Sequence, residues 1–152
     1  LWVWKLNSKP LTRLIAAITF AAALAVPITA ISESDVEPEF LTYSPELLAE
    51  LRDDNQPVFI NLTADWCITC LVNERAALNS EKVIGLMRDN GINYLKGDWT
   101  NSDPQITELL GQFNRSGVPL YLLYPRGQGK AVILPQILTE SMVIDALNQA
   151  IN

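Results

Sequence analysis

Apolar positions along this chain change period several times, and each change marks an element. From Val58 to Ala64 the run V-F-I-N-L-T-A is almost unbroken, which predicts a strand covered on both faces. Ahead of it, Ser44-Pro45-Glu46 reads as a helix start, with Ser as N-cap and Pro at the first helical position. Leu47, Leu48 and Leu51 supply that helix's apolar stripe, and Asp53 to Pro57 ends it. Leu71 to Leu78 again has helical character, with Leu71, Val72, Leu78 and two alanines among charges. Ser80 to Asn90 predicts a short helix that turns Val83, Ile84, Leu86 and Met87 inward and stops at Gly91.

Asn93 to Trp99 reads as a second strand. Ser102-Asp103-Pro104 then opens a helix whose Ile106, Leu109, Leu110 and Phe113 fall at helical spacing. Val118 to Tyr124 is a third strand, the Gly-containing Pro125 to Lys130 a hairpin turn, and Ala131 to Leu134 an antiparallel return. Thr139-Glu140 caps a last helix that buries Met142, Val143, Ala146, Leu147 and Ile151. Strand and helix alternating in this order imply parallel pairing, closed by an antiparallel hairpin. The expectation is an α/β domain with a central mixed β-sheet flanked by helices on both faces.

Charge is distributed unevenly over the 152 residues. Lys5, Lys9 and Arg13 are the only charges before Glu33, which leaves 8 of the 11 basic residues against all 17 acidic ones, a net of −9, beyond Ile31. A domain so acidic lacks the footprint of a nucleic-acid binder. Leu14 to Ile31 carries no charge, and as a helix these roughly 18 residues would span about 27 Å, close to a bilayer's hydrocarbon thickness. The basic flank on its N-terminal side predicts that side in the cytoplasm, with Trp2 and Trp4 suited to an interface. A cleaved secretory signal fits the same pattern, with small residues around Ile28-Thr29-Ala30, and a buried soluble helix is the plainer alternative. The expected organisation is a membrane-spanning or signal-like segment over 1–31, an acidic linker over 32–39 and a folded domain over 40–152.

Cys67 and Cys70 are the only cysteines, placed where the strand from Val58 gives way to helix. A zinc site needs about four ligands, and two cysteines with no histidine do not provide them, so no metal is expected. Three readings stay open: a redox dithiol, a static disulfide and two unrelated buried thiols. A static bridge would close a very short loop and constrain the unfolded chain little. For the redox reading, a first thiol at a helix N-terminus meets unpaired backbone N–H groups that favour its thiolate. A pKa lowered from about 8.5 to about 7 raises the ionised fraction at pH 7 from about 3% to about half, but nucleophilicity falls with pKa and leaves roughly a threefold gain. The larger benefits are a good leaving group at Cys67 and a tunable reduction potential.

Asp65-Trp66-Cys67-Ile68-Thr69-Cys70 after an apolar strand, with Val118-Pro119 some way downstream, resembles the thioredoxin superfamily. With Ala64, Glu74, Gly97-Asp98-Trp99-Thr100 and Ser116-Gly117-Val118-Pro119-Leu120, the pattern is more narrowly similar to the C-terminal periplasmic domain of DsbD-type thiol:disulfide interchange proteins. That resemblance implies a thioredoxin-like fold and a protein-disulfide reductase whose redox group is the Cys67-Cys70 pair, with no diffusible cofactor. Cys67 is then the attacking thiolate and Cys70 the resolving thiol. Glu74, four residues after Cys70, is the candidate acid–base group, because the family's usual buried Asp is replaced by Asn61, which accepts no proton. A solvated helix charge is the plainer reading of Glu74.

Pro119 resembles the family's cis-proline, which would bring Val118 beside the sulfur to pair with an incoming peptide. Trp66 would lie across the site, or else belong to ordinary core packing. Asp65 and Asp98 are possible supports, Asp98 at a strand end with Trp99 and Thr100, where the plainer reading is that the three only terminate the strand. The implied partners are a membrane-embedded dithiol domain as electron donor and periplasmic thioredoxin-fold proteins as acceptors. The implied location is a periplasmic domain tethered to the bacterial inner membrane through Leu14–Ile31, with the chain a piece of a longer polypeptide. Two rivals are an anchored thioredoxin for cytochrome c maturation and a non-catalytic binding module with a structural disulfide. Ile68 and Thr69 do not reveal the direction of electron flow.

Overall fold

A computed structural model describes residues 38–127 and 129–151. The expected span Leu14–Ile31 and nearly all of the acidic linker lie outside the described residues. Among the described residues, no helix is long and apolar enough to cross a membrane.

In chain order the elements are β1 (Leu41–Thr42), α1 (Pro45–Asp53), β2 (Val58–Thr63), α2 (Ile68–Asn73, continued by a π turn over Glu74–Leu78), α3 (Glu81–Asp89), β3 (Asn93–Asp98), α4 (Pro104–Gln112), β4 (Leu120–Tyr124), β5 (Val132–Ile133) and α5 (Glu140–Ile151). The strands form one sheet in the order β1-β3-β2-β4-β5. β3 pairs in parallel with both β1 and β2, whereas β4 is antiparallel to β2 and to β5. β2 is therefore the central strand, and all six of its residues are buried, as its unbroken apolar run requires.

Alternation along β2 divides the interior in two. Val58, Ile60 and Leu62 face a layer containing Leu95, Ile106, Leu109, Leu110, Leu120 and Leu122, closed by the partly buried leucines of α1. Phe59 faces the other layer, with Ala77, Leu78, Val83, Met87, Tyr121, Leu123, Val143 and Leu147. Helices thus cover both faces of the mixed sheet. Capping follows the sequence signals: Ser44 Oγ accepts from Leu47 N (3.1 Å), Ser80 Oγ from Val83 N (3.3 Å) and Thr139 Oγ1 from Met142 N (3.3 Å). Gly91 takes the left-handed conformation (φ 63°) that ends α3.

Several expectations need correction. β1 is absent from the sequence reading: it is two residues long, both exposed, and carries no periodicity. The third strand begins at Leu120, because Val118 and Pro119 form a loop ahead of it, and its antiparallel partner shrinks to Val132–Ile133. The start of α4 falls as expected, with Asp103 as its cap accepting from Gln105 N (2.9 Å) and Ile106 N (3.1 Å). On α2, Leu71 (40% exposed) and Val72 (56%) point outward while Asn73 is buried, so the helix is rotated from the face that its apolar residues suggest. Likewise α5 buries Val143, Leu147 and Ala150 at i, i+4, i+7 spacing, which leaves Met142 outside that stripe and exposed.

Candidate functional site

The central strand delivers the cysteines. Beyond Thr63 the chain turns through Ala64, Asp65 and Trp66, and Cys67 N–H donates to Ala64 O (2.9 Å). Cys67 is then the N-cap of α2, its Sγ accepting from Cys70 N–H (3.2 Å). Cys67 and Cys70 are joined as a disulfide. Cys67 keeps 6% exposure and Cys70 none, so of the two residues only the first reaches the surface. Ala64 and Val118 pack against the pair, and the Val118–Pro119 peptide bond is cis. Sequence-distant Val118-Pro119 and the dithiol thus meet at the C-terminal end of β2.

A largely buried set of polar side chains links the sheet to α2. Lys96 of β3, Asn61 of β2 and Tyr121 of β4 are register neighbours and form one row across the sheet. Asn61, fully buried, donates through Nδ2 to Glu74 Oε1 (3.0 Å) and Tyr94 Oη (2.9 Å). Its Oδ1 is buried without a protein partner. Lys96 Nζ lies 3.1 Å from the Glu74 carboxylate, and both side chains are largely buried. Asn73 Nδ2 donates to Tyr121 Oη (2.9 Å) and Gln136 O (2.7 Å), and its Oδ1 accepts from Leu138 N (3.1 Å). Burial raises both tyrosine hydroxyls, Tyr94 strongly and Tyr121 to about 12, so both stay protonated in the working range.

The structure therefore brings Asn61 and Glu74 together directly, as donor and acceptor. It adds four residues that sequence reasoning missed: Asn73, Tyr94, Lys96 and Tyr121. One signal was available. Lys96 falls inside a strand of a sheet expected to be flanked on both faces, and a lysine there needs a partner.

A second cluster borders the disulfide where β3 ends. Asp98 Oδ1 accepts from Thr100 N (2.8 Å) and from the Thr100 hydroxyl, and these bonds hold the Asp98 carboxyl below the usual range. Thr100 Oγ1 accepts from Asp65 N (2.9 Å), and Thr100 O accepts from Trp66 Nε1 (3.2 Å). Trp66 is 57% exposed, with its ring centroid 6.0 Å from that of Trp99. Such exposure overturns the core-packing alternative for Trp66. Trp99 is fixed in turn by Nε1–H donation to Thr107 Oγ1 (2.8 Å). Asp65 is exposed at the rim.

A mixed sheet flanked by helices, with a disulfide at a helix start beyond the central strand and the residue before a cis-proline packed against it, defines a class of protein. Residues 39–125 match the Thioredoxin-like family, and the chain belongs to that family. More narrowly, the sequence is 38% identical over 80 residues to the thiol:disulfide interchange protein DsbD 1 of Pseudomonas aeruginosa, a match covering 53% of this chain and 13% of that protein. It is 30% identical over 105 residues to DsbD of Vibrio cholerae, covering 67% and 17%. The chain thus spans less than a fifth of these curated relatives. Among solved structures, the oxidised C-terminal domain of Neisseria meningitidis DsbD superposes with a TM-score of 0.59 at 22% identity, covering 74% of this chain and 99% of that domain. A thioredoxin from Thermus thermophilus gives 0.57 at 16% identity, and shares the fold. Together these likenesses are those of a DsbD-type thioredoxin domain.

Proposed function

We propose that the chain is the thiol:disulfide-exchanging domain of a DsbD-type interchange protein, working as a protein-disulfide reductase. The observation that carries this reading is a disulfide at a helix start whose first residue alone keeps some surface exposure, with Val118, joined by a cis bond to Pro119, packed against the pair. In the reduced form, the Cys67 thiolate attacks one sulfur of a partner disulfide. A Cys67–partner bond forms, and the partner's other sulfur leaves as a thiolate. Cys70, having lost its proton, then attacks Cys67, restores the Cys67–Cys70 disulfide and releases the partner's second thiol. Two electrons and two protons have passed to the partner, and the cysteine pair is the whole redox group. The Cys70 N–H that points at Cys67 Sγ supports the role of Cys67 as the lower-pKa sulfur and better leaving group.

Glu74 is assigned the proton exchange at Cys70. Supporting it are its position one turn after Cys70 and its place in the polar set, where Asn61 and Lys96 both donate to it. Trp66, Val118 and Pro119 form the surface a partner meets, with Asp65 and Asp98 as supports. The electron donor is a membrane-embedded dithiol domain and the acceptors are periplasmic thioredoxin-fold proteins. The domain works on the periplasmic face of the inner membrane, tethered through Leu14–Ile31. Support for this wider scheme comes from the interchange function in the names of the DsbD relatives and from the acidic domain that follows the uncharged segment.

Equilibration with glutathione tests the direction: a potential near the thioredoxin value of about −270 mV supports a donor, and one near −120 mV reverses it. Insulin reduction with a dithiol donor tests the chemistry, and Cys67→Ser abolishes it. No activity in the unaltered chain would return the disulfide to a structural role.

A further inference from the structure

Trp66 presents a problem of order. A side chain 57% exposed beside the reactive sulfur is not held by packing, yet the residue before Cys67 helps to shape the surface that any partner meets. Its restraints come from the turn after β3, and they converge on one residue. Thr100 accepts the Trp66 indole N–H with its carbonyl and the Asp65 N–H with its hydroxyl. The same hydroxyl donates to Asp98 Oδ1, which the Thr100 N–H also reaches. A hydroxyl has one hydrogen to give, and the Asp98 carboxylate fixes where it goes, so a lone pair is left facing Asp65. Both residues that lead into Cys67 are thereby held by Thr100, while Trp99, bonded to Thr107, supports the indole from the side.

We propose that Thr100 is a positioning residue for disulfide exchange with protein partners, acting through Asp65 and Trp66 on the surface beside Cys67. The indole N–H is a lone donor already given to the Thr100 carbonyl. Partners therefore meet Trp66 as an apolar ring face and find no hydrogen-bond donor there. The favoured substrate is a protein disulfide with an apolar or aromatic side chain next to the attacked cysteine, which a stacked ring recognises and a small disulfide lacks.

This inference rests on the exchange reading above and is tested on the full chain with insulin as the protein disulfide. Thr100→Val keeps the shape and the carbonyl but loses both hydroxyl bonds. It should raise KM about threefold to tenfold with kcat retained, the loss expected for one hydrogen bond's worth of order. Thr100→Ser restores the hydroxyl and the KM. The Trp66 indole N–H signal should exchange with water faster in Thr100→Val and recover in Thr100→Ser, a readout that needs no partner. In a Trp66→Ala background Thr100→Val should add little, and the glutathione equilibrium should stay within about twofold of the unaltered chain.

An unchanged KM, an effect that persists in full without Trp66, or a shift in the glutathione equilibrium as large as the rate loss would each overturn the assignment. If Thr100→Val does not fold, the Trp66→Ala and Thr100→Ser chains still decide it: an unaffected KM in Trp66→Ala, or a raised one in Thr100→Ser, rejects it. An unaltered chain that reduces no protein disulfide would remove the exchange reading and this inference together. An active one indifferent to Thr100 would remove this inference alone.

Discussion

An amide can donate where a carboxylate cannot, and at position 61 that difference decides the neighbourhood. Asn61 Nδ2 gives both hydrogens, to Glu74 and Tyr94, and Lys96 completes the carboxylate's coordination. Asn61→Asp would set a second carboxyl about hydrogen-bonding distance from Glu74 in a buried layer, and like charges so close do not both ionise. One carboxyl then holds its proton to higher pH than in the unfolded chain. Its contribution is present at low pH and lost as pH rises through the raised folded value, so the variant should lose about 1–3 kcal/mol at neutral pH and recover on acidification. Denaturation at pH 5 and pH 8 checks this, and equal stability losses at both would contradict it.

Asp98 behaves in the opposite sense. Its carboxyl titrates below the usual range because Thr100 donates to it, so the small stability tied to that bond is present above the unfolded pKa and fades as pH falls through the folded one. Following the Asp98 carboxyl signal by NMR in Thr100→Val should show its midpoint moving back up. The backbone N–H of residue 100 remains, so recovery should be partial.

α2 and β3 each carry a tight constraint at one position. Asn73→Ala would leave Tyr121 Oη, Gln136 O and Leu138 N–H without their partner. A loss of about 2–4 kcal/mol in urea unfolding is expected. On β3, a Cβ added at Gly97 would lie 2.6 Å from Leu62 Cδ2 and 3.2 Å from Ile106 Cδ1. Gly97→Val should therefore cost about 1–3 kcal/mol through overpacking, measured by the same titration. These elements also show what was legible in the sequence. Helix starts at Ser44, Ser80 and Thr139 were readable because a cap is a local event. Apolar periodicity gave the existence of α2 and not its rotation, since the inward face includes Asn73, whose three partners come from elements distant in sequence. β1 left no trace because a two-residue edge strand exists through its neighbour's hydrogen bonds, and for the same reason β5 was readable as an antiparallel return but not in its length. Pro119 was recognisable only through resemblance, as the dipeptide itself does not encode a cis bond.

Across the folded domain, β3, β2 and β4 all send alternate side chains into both apolar layers, and β2, between the other two, is covered throughout. Opening it requires both layers to separate, whereas β1 and β5 lie at the rims with exposed residues. Native-state hydrogen exchange should find the slowest amides in Val58–Thr63 and fast exchange at Leu41–Thr42 and Val132–Ile133. Protection of β2 no greater than that of β5 would show that the layers are not coupled in this way.

The transverse row of Lys96, Asn61 and Tyr121, bonded to Glu74 of α2 and Tyr94 of β3, also bears on how such a domain can change over generations. No member can be exchanged alone without stranding a charge or a hydrogen bond inside the protein. These positions should be inherited as a single character. A descendant that regains an acid at 61 should be found to have altered 74 or 96 as well.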